Sequence, residues 1–233
     1  IPNVDKWKDR TFMGYQREDG QVGTENVWVF FPLVFCENRN LDVIKEALHH
    51  ALGYTITDKY KQFTDQLVQS YTTSGSLTID EHVVEAPLHH QRIFKNIDGI
   101  KFLNHSGGCG GTRQDANTLS HLLAAYADHP NVAGVTLLSL GCQHLQIEDF
   151  KNDLLKRNPA FSKPLLVFEQ QQSLSEEQLI KSAIQQTLVH LVEANKIEKA
   201  TPELELELYN KRAHQNTIEL ESSYNYRRFQ IFI

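Results

Sequence analysis

No stretch of this chain holds the roughly 18 consecutive apolar residues that a membrane span requires, so no membrane partner is expected. Ile1 to Arg10 is polar and lacks the apolar centre of a secretory signal. Cysteine is scarce as well. Cys36, Cys109 and Cys142 are three in 233 residues, an odd number that makes a poor disulfide framework and fits a reducing compartment, hence the cytoplasm. A basic excess is missing too: the net charge is −6, which argues against a nucleic-acid binder. It leaves a small anionic substrate open, because a few local cations can reverse the field inside a cleft. Neither GxGxxG nor GxxxxGK[ST] occurs. A first residue that is Ile rather than Met suggests a processed or excised piece.

What is present is the material of an ordinary core: 40% hydrophobic residues against 22% charged. Val27 to Phe35 is continuously apolar and rich in β-branched and aromatic residues, which predicts a strand covered on both faces, with Pro32 marking a bulge or an early end. Asn40 is placed to cap a helix running to Leu52, with Leu41, Ile44, Ala47 and Leu48 on one face and Gly53 as its stop. A second helix is predicted over Lys59–Gln69, followed by a polar loop over 71–76. Residues 77–97, with His82, His89 and His90, carry no clear pattern.

Further strands are predicted at Gly99–Leu103, Val132–Leu140 and Pro164–Phe168. Helices are predicted between them at Gln114–Ala127, with Leu119, Leu122, Leu123 and Tyr126 inward, and at Phe150–Lys156. A last helix opens at a Ser173–Glu176 capping box and runs to Ala194, with Leu179, Ile180, Ala183, Leu188, Leu191 and Val192 as its stripe. Strand and helix alternate throughout. The fold class expected is therefore α/β: a mainly parallel open sheet with helices on both faces, Rossmann-like and three-layered, over residues 1–200. Residues 201–233 read as a C-terminal tail or the start of a following segment, and the Leu/acid alternation at 203–208 as a solvated edge strand or tail.

Three predicted strands end at or just before a cysteine, and open α/β sheets bind ligands outside the carboxyl ends of their strands. Separations of 73 and 33 residues exclude a local finger, so only the fold could bring Cys36, Cys109 and Cys142 together. Two readings stay open here: a shared site for a soft metal, or three small buried hydrophobes. Gly107-Gly108-Cys109-Gly110-Gly111 allows close backbone approach and offers N–H groups ahead of a helix, which suits a carboxylate or phosphate. His105 and His144 sit on the same expected rim. His49, His50, His121 and His190 fall within helices and read as surface or packing residues.

These motifs resemble a known family. Residues 12–26, through Gly14-Tyr15, Arg17, Asp19-Gly20 and Val22-Gly23-Thr24-Glu25-Asn26, are similar to the "GY-R-DG-VGTRN" segment of the altronate/galactarate dehydratases. His105 to Gly110 looks like the family's "H-T-x-G-C-G" loop, Tyr126 to Asn131 like its "YA-HPN" segment, and Leu140 to Gln143 like its "GLGCE" turn. The resemblance implies a hydro-lyase that converts a sugar acid to its 2-keto-3-deoxy product. It implies a divalent metal, iron(II) first, with manganese(II), zinc(II) or an iron–sulfur cluster as alternatives. It carries over His105 as the catalytic base, Gly107, Gly108 and Asn26 as substrate-binding residues, and Cys36, Cys109 and Cys142 as metal ligands.

Three departures accompany it. Glu25 stands where the family has Arg, and Gln143 where it has Glu. The family's downstream "CGGSD-SG" segment is not found in 195–233, so the chain is expected to hold part of an active site. The alternative to an enzyme is a non-catalytic α/β module whose three cysteines hold a structural zinc or an iron–sulfur centre. Oligomerisation is left open.

Overall fold

The computed structural model describes residues 12–54, 59–77 and 92–200, with the side chains of 59–62 excepted. Within it, Met13–Ala200 forms one compact unit. A short hairpin comes first, β1 (Tyr15–Gln16) pairing antiparallel with β2 (Val22–Gly23) around a turn in which Gly20 adopts φ +80°. Then follow β3 (Val27–Pro32), α1 (Asn38–Leu52), α2 (Lys59–Ser74), β4 (Gly99–Phe102), α3 (Arg113–Asp128), β5 (Val132–Ser139), α4 (Ile147–Arg157), β6 (Leu165–Glu169) and α5 (Glu176–Ala194). The tail expected beyond residue 200, and His82, His89 and His90, lie outside the described residues.

The α/β class holds. β3 to β6 form a four-stranded sheet in the order β4-β3-β5-β6, and every pair is parallel. β3 shows why its sequence is continuously apolar. Successive side chains point to opposite faces of a strand. Trp28 and Phe30 pack with Leu41, Ile44 and Leu48 of α1 and with Leu179, Ala183 and Leu191 of α5. Val27, Val29 and Phe31 pack on the other face with Ala116, Leu123 and Ala124 of α3 and with Phe150 and Leu154 of α4. Both faces are roofed by helices, so neither parity of the strand has a reason to be polar. Full burial of rings such as Phe30 and Phe31 contributes roughly 1.5–3 kcal/mol each. Trp28 fits because its register partner on β5 is Gly134, where an added Cβ would lie 2.3 Å from the indole.

Several element ends differ from expectation. α1 starts at Asn38 behind Glu37, so Asn40 lies inside the first turn; Gly53 closes the helix at φ +77°. α2 continues to Ser74, through the stretch expected to be a loop. There the hydroxyls of Thr72 and Ser74 donate back to the Val68 and Ser70 carbonyls at 3.0 and 2.9 Å, which lets polar residues remain helical. α5 is capped by Ser175, which accepts from the Gln178 N–H at 3.1 Å, while the Ser173 hydroxyl turns back to the Glu169 carbonyl. Leu122 and Val192 face outward, each with a neighbouring position taking the core. β3 ends at Pro32, where the ring removes the next ladder donor.

The last turn of α3 is finished by a lysine from the loop before β6. Lys163 is 7% exposed and donates to the carbonyls of Asp128 and His129 at 2.8 and 2.7 Å. These carbonyls are helix-end groups without intrahelical partners. Burial pushes the lysine down to about 8. A group whose folded value is depressed below its unfolded value binds fewer protons when folded, so its contribution to stability increases as pH rises through that window. Stability of the native chain relative to a K163M variant is therefore expected to increase between about pH 8 and 10 by on the order of 1–3 kcal/mol. Urea unfolding at pH 7, 8.5 and 10 reads it; a pH-independent difference contradicts it.

Candidate functional site

All four sheet strands run the same way, so their carboxyl ends share one edge. β3 leads out to β4 on one side; the chain then crosses to β5 on the other side of β3 and continues to β6. The connections thus diverge at the β3/β5 boundary, and a crevice outside the carboxyl ends at such a boundary is where doubly wound sheets bind ligands.

Three loops meet there. The turn after β3 carries Cys36 in a 3-10 turn, Phe35–Glu37. The loop after β4 carries His105 to Thr112, and the loop after β5 carries Gly141 to Gln146. The β4 loop lies between the other two and is tied to both. The Phe35 N–H donates to the Gly107 carbonyl and the His144 N–H to the Gly108 carbonyl, each at 3.0 Å. Gly108 passes so close beneath the β3 turn that an added Cβ would lie 2.1 Å from the Leu33 carbonyl oxygen, and its φ is +95°. Its glycine is required by that crossing.

His105 is fixed at the root of this loop. Its Nε2 bonds the Pro32 carbonyl at 2.7 Å, which makes Nε2 the protonated nitrogen. Its Nδ1 accepts the Gly107 N–H at 3.2 Å, and its own carbonyl accepts the Asn38 side chain at 2.8 Å. Both ring nitrogens are thus engaged in shaping the loop.

Beyond it lies a cavity of about 290 Å³ lined by Ser106 to Thr112, Asp115, Ala116 and His144. Its size sits at the lower end for small-ligand pockets. Among the described residues, no protein acceptor takes the N–H groups of Gly108, Cys109, Gly110 or Gly111. Gly110 also has positive φ, +74°, so left-handed residues alternate along the loop. Runs of N–H groups over such alternating backbone form anion-receiving concavities. The next N–H, of Thr112, is already taken: Thr112 and Asp115 form a capping box, with the Asp115 carboxylate accepting from Thr112 N and Oγ1 at 2.8 and 2.9 Å. Those hydrogen bonds hold the Asp115 carboxyl below its ordinary range. The spacing Thr112-x-x-Asp115 carried this signal in the sequence.

Cys36, Cys109 and Cys142 are all exposed and free, which removes the reading of them as buried core residues. They occupy one junction of three loops. They do not gather: among the described residues no three His, Cys, Asp or Glu side chains form a group that could hold a metal ion. As placed, the side chains do not fit a three-thiolate centre for iron(II), manganese(II), zinc(II) or a cluster.

Gln143 is buried beside Cys142. It accepts the Gly141 N–H and donates to the Ser139 hydroxyl, both at 2.7 Å, and so shapes the turn after β5.

Asn26, expected among the substrate-binding residues, precedes β3 and so sits at the opposite, amino edge of the sheet. It is fully buried. Its Nδ2 donates to the Asn96 and Ala194 carbonyls at 2.8 and 3.1 Å, and its Oδ1 accepts from Arg17 Nη1 at 2.8 Å. Its N–H donates to Asp98 at 2.8 Å. Every polar group of Asn26 is thus spent on joining the hairpin, the start of β3, the turn before β4 and the end of α5. The neighbouring Glu25 lies at the same edge, its carbonyl accepting from Arg17 at 3.1 Å, so its charge does not face the cysteine loops.

Residues 14–195 match the family model described as "D-galactarate dehydratase/Altronate hydrolase, second domain". The altronate dehydratase of Bacillus subtilis (strain 168) is 24% identical to this chain over 148 residues. That alignment covers 63% of this chain and 22% of the relative, so the chain spans only about a fifth of the curated protein it matches. No solved structure matches.

Proposed function

Because the chain belongs to the D-galactarate dehydratase/altronate hydrolase family, we propose that its Gly107–Gly111 loop receives the carboxylate of a sugar acid undergoing dehydration. The observation that carries this reading is the run of four N–H groups, Gly108 to Gly111, without a protein acceptor among the described residues, on the wall of a cavity of about 290 Å³. An ionised carboxylate is the ligand such donors favour: hydrogen bonds to charged acceptors are roughly twice as strong as neutral ones.

The elimination removes the proton on the carbon beside the carboxylate, and the hydroxyl of the next carbon departs as water. The enol left behind becomes a 2-keto-3-deoxy acid. Holding the carboxylate on the loop N–H groups favours the negative charge that builds on its oxygens as the proton leaves. His144 and Cys109 are the titratable side chains facing this space besides the capped Asp115. On this reading His144 takes the proton, a role that contributes about 10²–10⁴-fold. His105 acts through the loop as a positioning residue, through its bonds to Pro32 and Gly107.

Incubating the full chain with altronate and galactarate, with and without added iron(II), is expected to yield a 2-keto-3-deoxy acid, and H144A to lower kcat by about 10²-fold or more. No product from either acid under either condition would sink the proposal for this chain.

A further inference from the structure

The turn after β3 contains three buried side-chain oxygens without a protein hydrogen-bond partner. Glu37 is 0% exposed and Asn40 3% exposed. Glu37 Oε2 accepts from Asn40 Nδ2 at 2.9 Å, which brings the two side chains together. Yet Glu37 Oε1, Asn40 Oδ1 and the nearby Asn38 Oδ1 are all buried without a hydrogen-bond partner. Buried polar atoms in folded proteins are nearly always satisfied, so three orphans within four consecutive residues require an explanation. All three atoms are acceptors. An anion would be repelled by them, and the first turn of α1 already has the Glu37 carboxylate beside it. A second acid, Glu176, the first residue of α5, also acts on Glu37 electrostatically. The cation nearest in sequence, Arg39, is exposed and pairs with Glu176 at 3.4 Å, and it makes no hydrogen bond to the three oxygens.

We propose that Glu37, Asn40 and Asn38 form a site for a hard divalent cation of the calcium, magnesium or manganese(II) class, separate from the cysteine thiols. One carboxylate with two amide carbonyls is an all-oxygen donor set, the kind such ions take and soft thiolate-seeking ions do not. Cys36, although adjacent in sequence, is exposed and contributes no donor to it. The site holds the start of α1 against the root of the β4 loop, because Asn38 also donates to the His105 carbonyl at 2.8 Å. This assignment stands whether or not the chain dehydrates a sugar acid.

The test uses the full chain, stripped with a chelator and titrated separately with calcium chloride and manganese(II) chloride. Binding is read by calorimetry and by loss of the free manganese(II) EPR signal. One equivalent per chain is expected to bind and to raise Tm. E37Q should weaken binding by more than the roughly 10–100-fold that loss of an outer-shell partner costs a metal site. N40D, which keeps the oxygen and adds a charge, should tighten it, so the proposal does not depend on variants that fail to fold. C36S should leave it unchanged. Absence of binding by either ion overturns the proposal. So does binding that survives E37Q but is lost in C36S, which would move the ion to the thiols. A third overturning result is E37Q exceeding the native chain in Tm while neither ion raises the native Tm, which would mean that a proton on Glu37 satisfies these oxygens instead.

Discussion

Replacing Gly108 with alanine is expected to remove about 2–5 kcal/mol of stability and to dissolve the junction of the three cysteine-bearing loops. Two costs add. A non-glycine residue in left-handed backbone costs about 1–2 kcal/mol, and Gly108 has φ +95°. The new methyl would also lie 2.1 Å from the Leu33 carbonyl oxygen and 2.7 Å from Val34 Cα, both backbone atoms that cannot rotate away. Overpacking of that kind costs typically 1–3 kcal/mol. G110A separates the two terms. Gly110 also has positive φ, +74°, but a Cβ there meets nothing within 4 Å, so only the first cost is expected. Urea unfolding of the two variants should therefore differ by the overpacking share. Equal losses would mean that the β3 turn gives way easily and that the loops are not locked together at Gly108.

The second large effect is expected at the other edge of the sheet. N26A should lower stability by roughly 2–4 kcal/mol, because it takes the side-chain partner from a buried charged donor and from two carbonyls, one of which, Ala194, keeps only the longer bond from the Ile197 N–H. The donor is Arg17, 6% exposed, whose Nη1 bonds Asn26 Oδ1 at 2.8 Å. The carbonyls are those of Asn96 and Ala194. For a chain of this size that is a fall in Tm of roughly 5–15 °C. Arg17 keeps its bonds to the Pro130 and Glu25 carbonyls, which limits the loss. N26D is not expected to rescue: its carboxylate suits Arg17 but turns an acceptor toward the Asn96 and Ala194 carbonyls. If Asn26 is structural, the folded fraction of N26A keeps the native KM for any sugar acid the chain turns over. A raised KM with unchanged Tm would return Asn26 to the substrate.

The contrast between Asn26 and Gly108 shows where the sequence was legible. The apolar run Val27–Pro32 announced a strand covered on both faces, and the strand–helix alternation announced a parallel sheet. Placing Cys36, Cys109 and Cys142 after strands put them on the carboxyl edge. The same logic was available for Asn26, which comes just before its strand and so falls on the amino edge. Motif resemblance alone does not distinguish a residue that holds the fold from one that holds the substrate.

What escaped the sequence depended on distances that only the fold sets. That His105 would spend both nitrogens on Pro32 and Gly107 follows from where the β3 and β4 loops cross. The orphan oxygens of Glu37, Asn38 and Asn40 follow from burial of the first turn of α1, where Asn40 read as a helix cap. Leu122 and Leu123 are equally apolar, and only the packing of α3 on β5 decides which is buried.

The central claim is that the Gly-rich loop at the carboxyl edge receives a carboxylate. Backbone amide NMR of the ¹⁵N-labelled chain, titrated with galactarate, tests it most directly. Saturable downfield shifts confined to the Gly108–Gly111 amides and their neighbours at Cys142 and His144 are the predicted result. Shifts centred on Thr24–Asn26, or none on the loop at saturating acid, would contradict it.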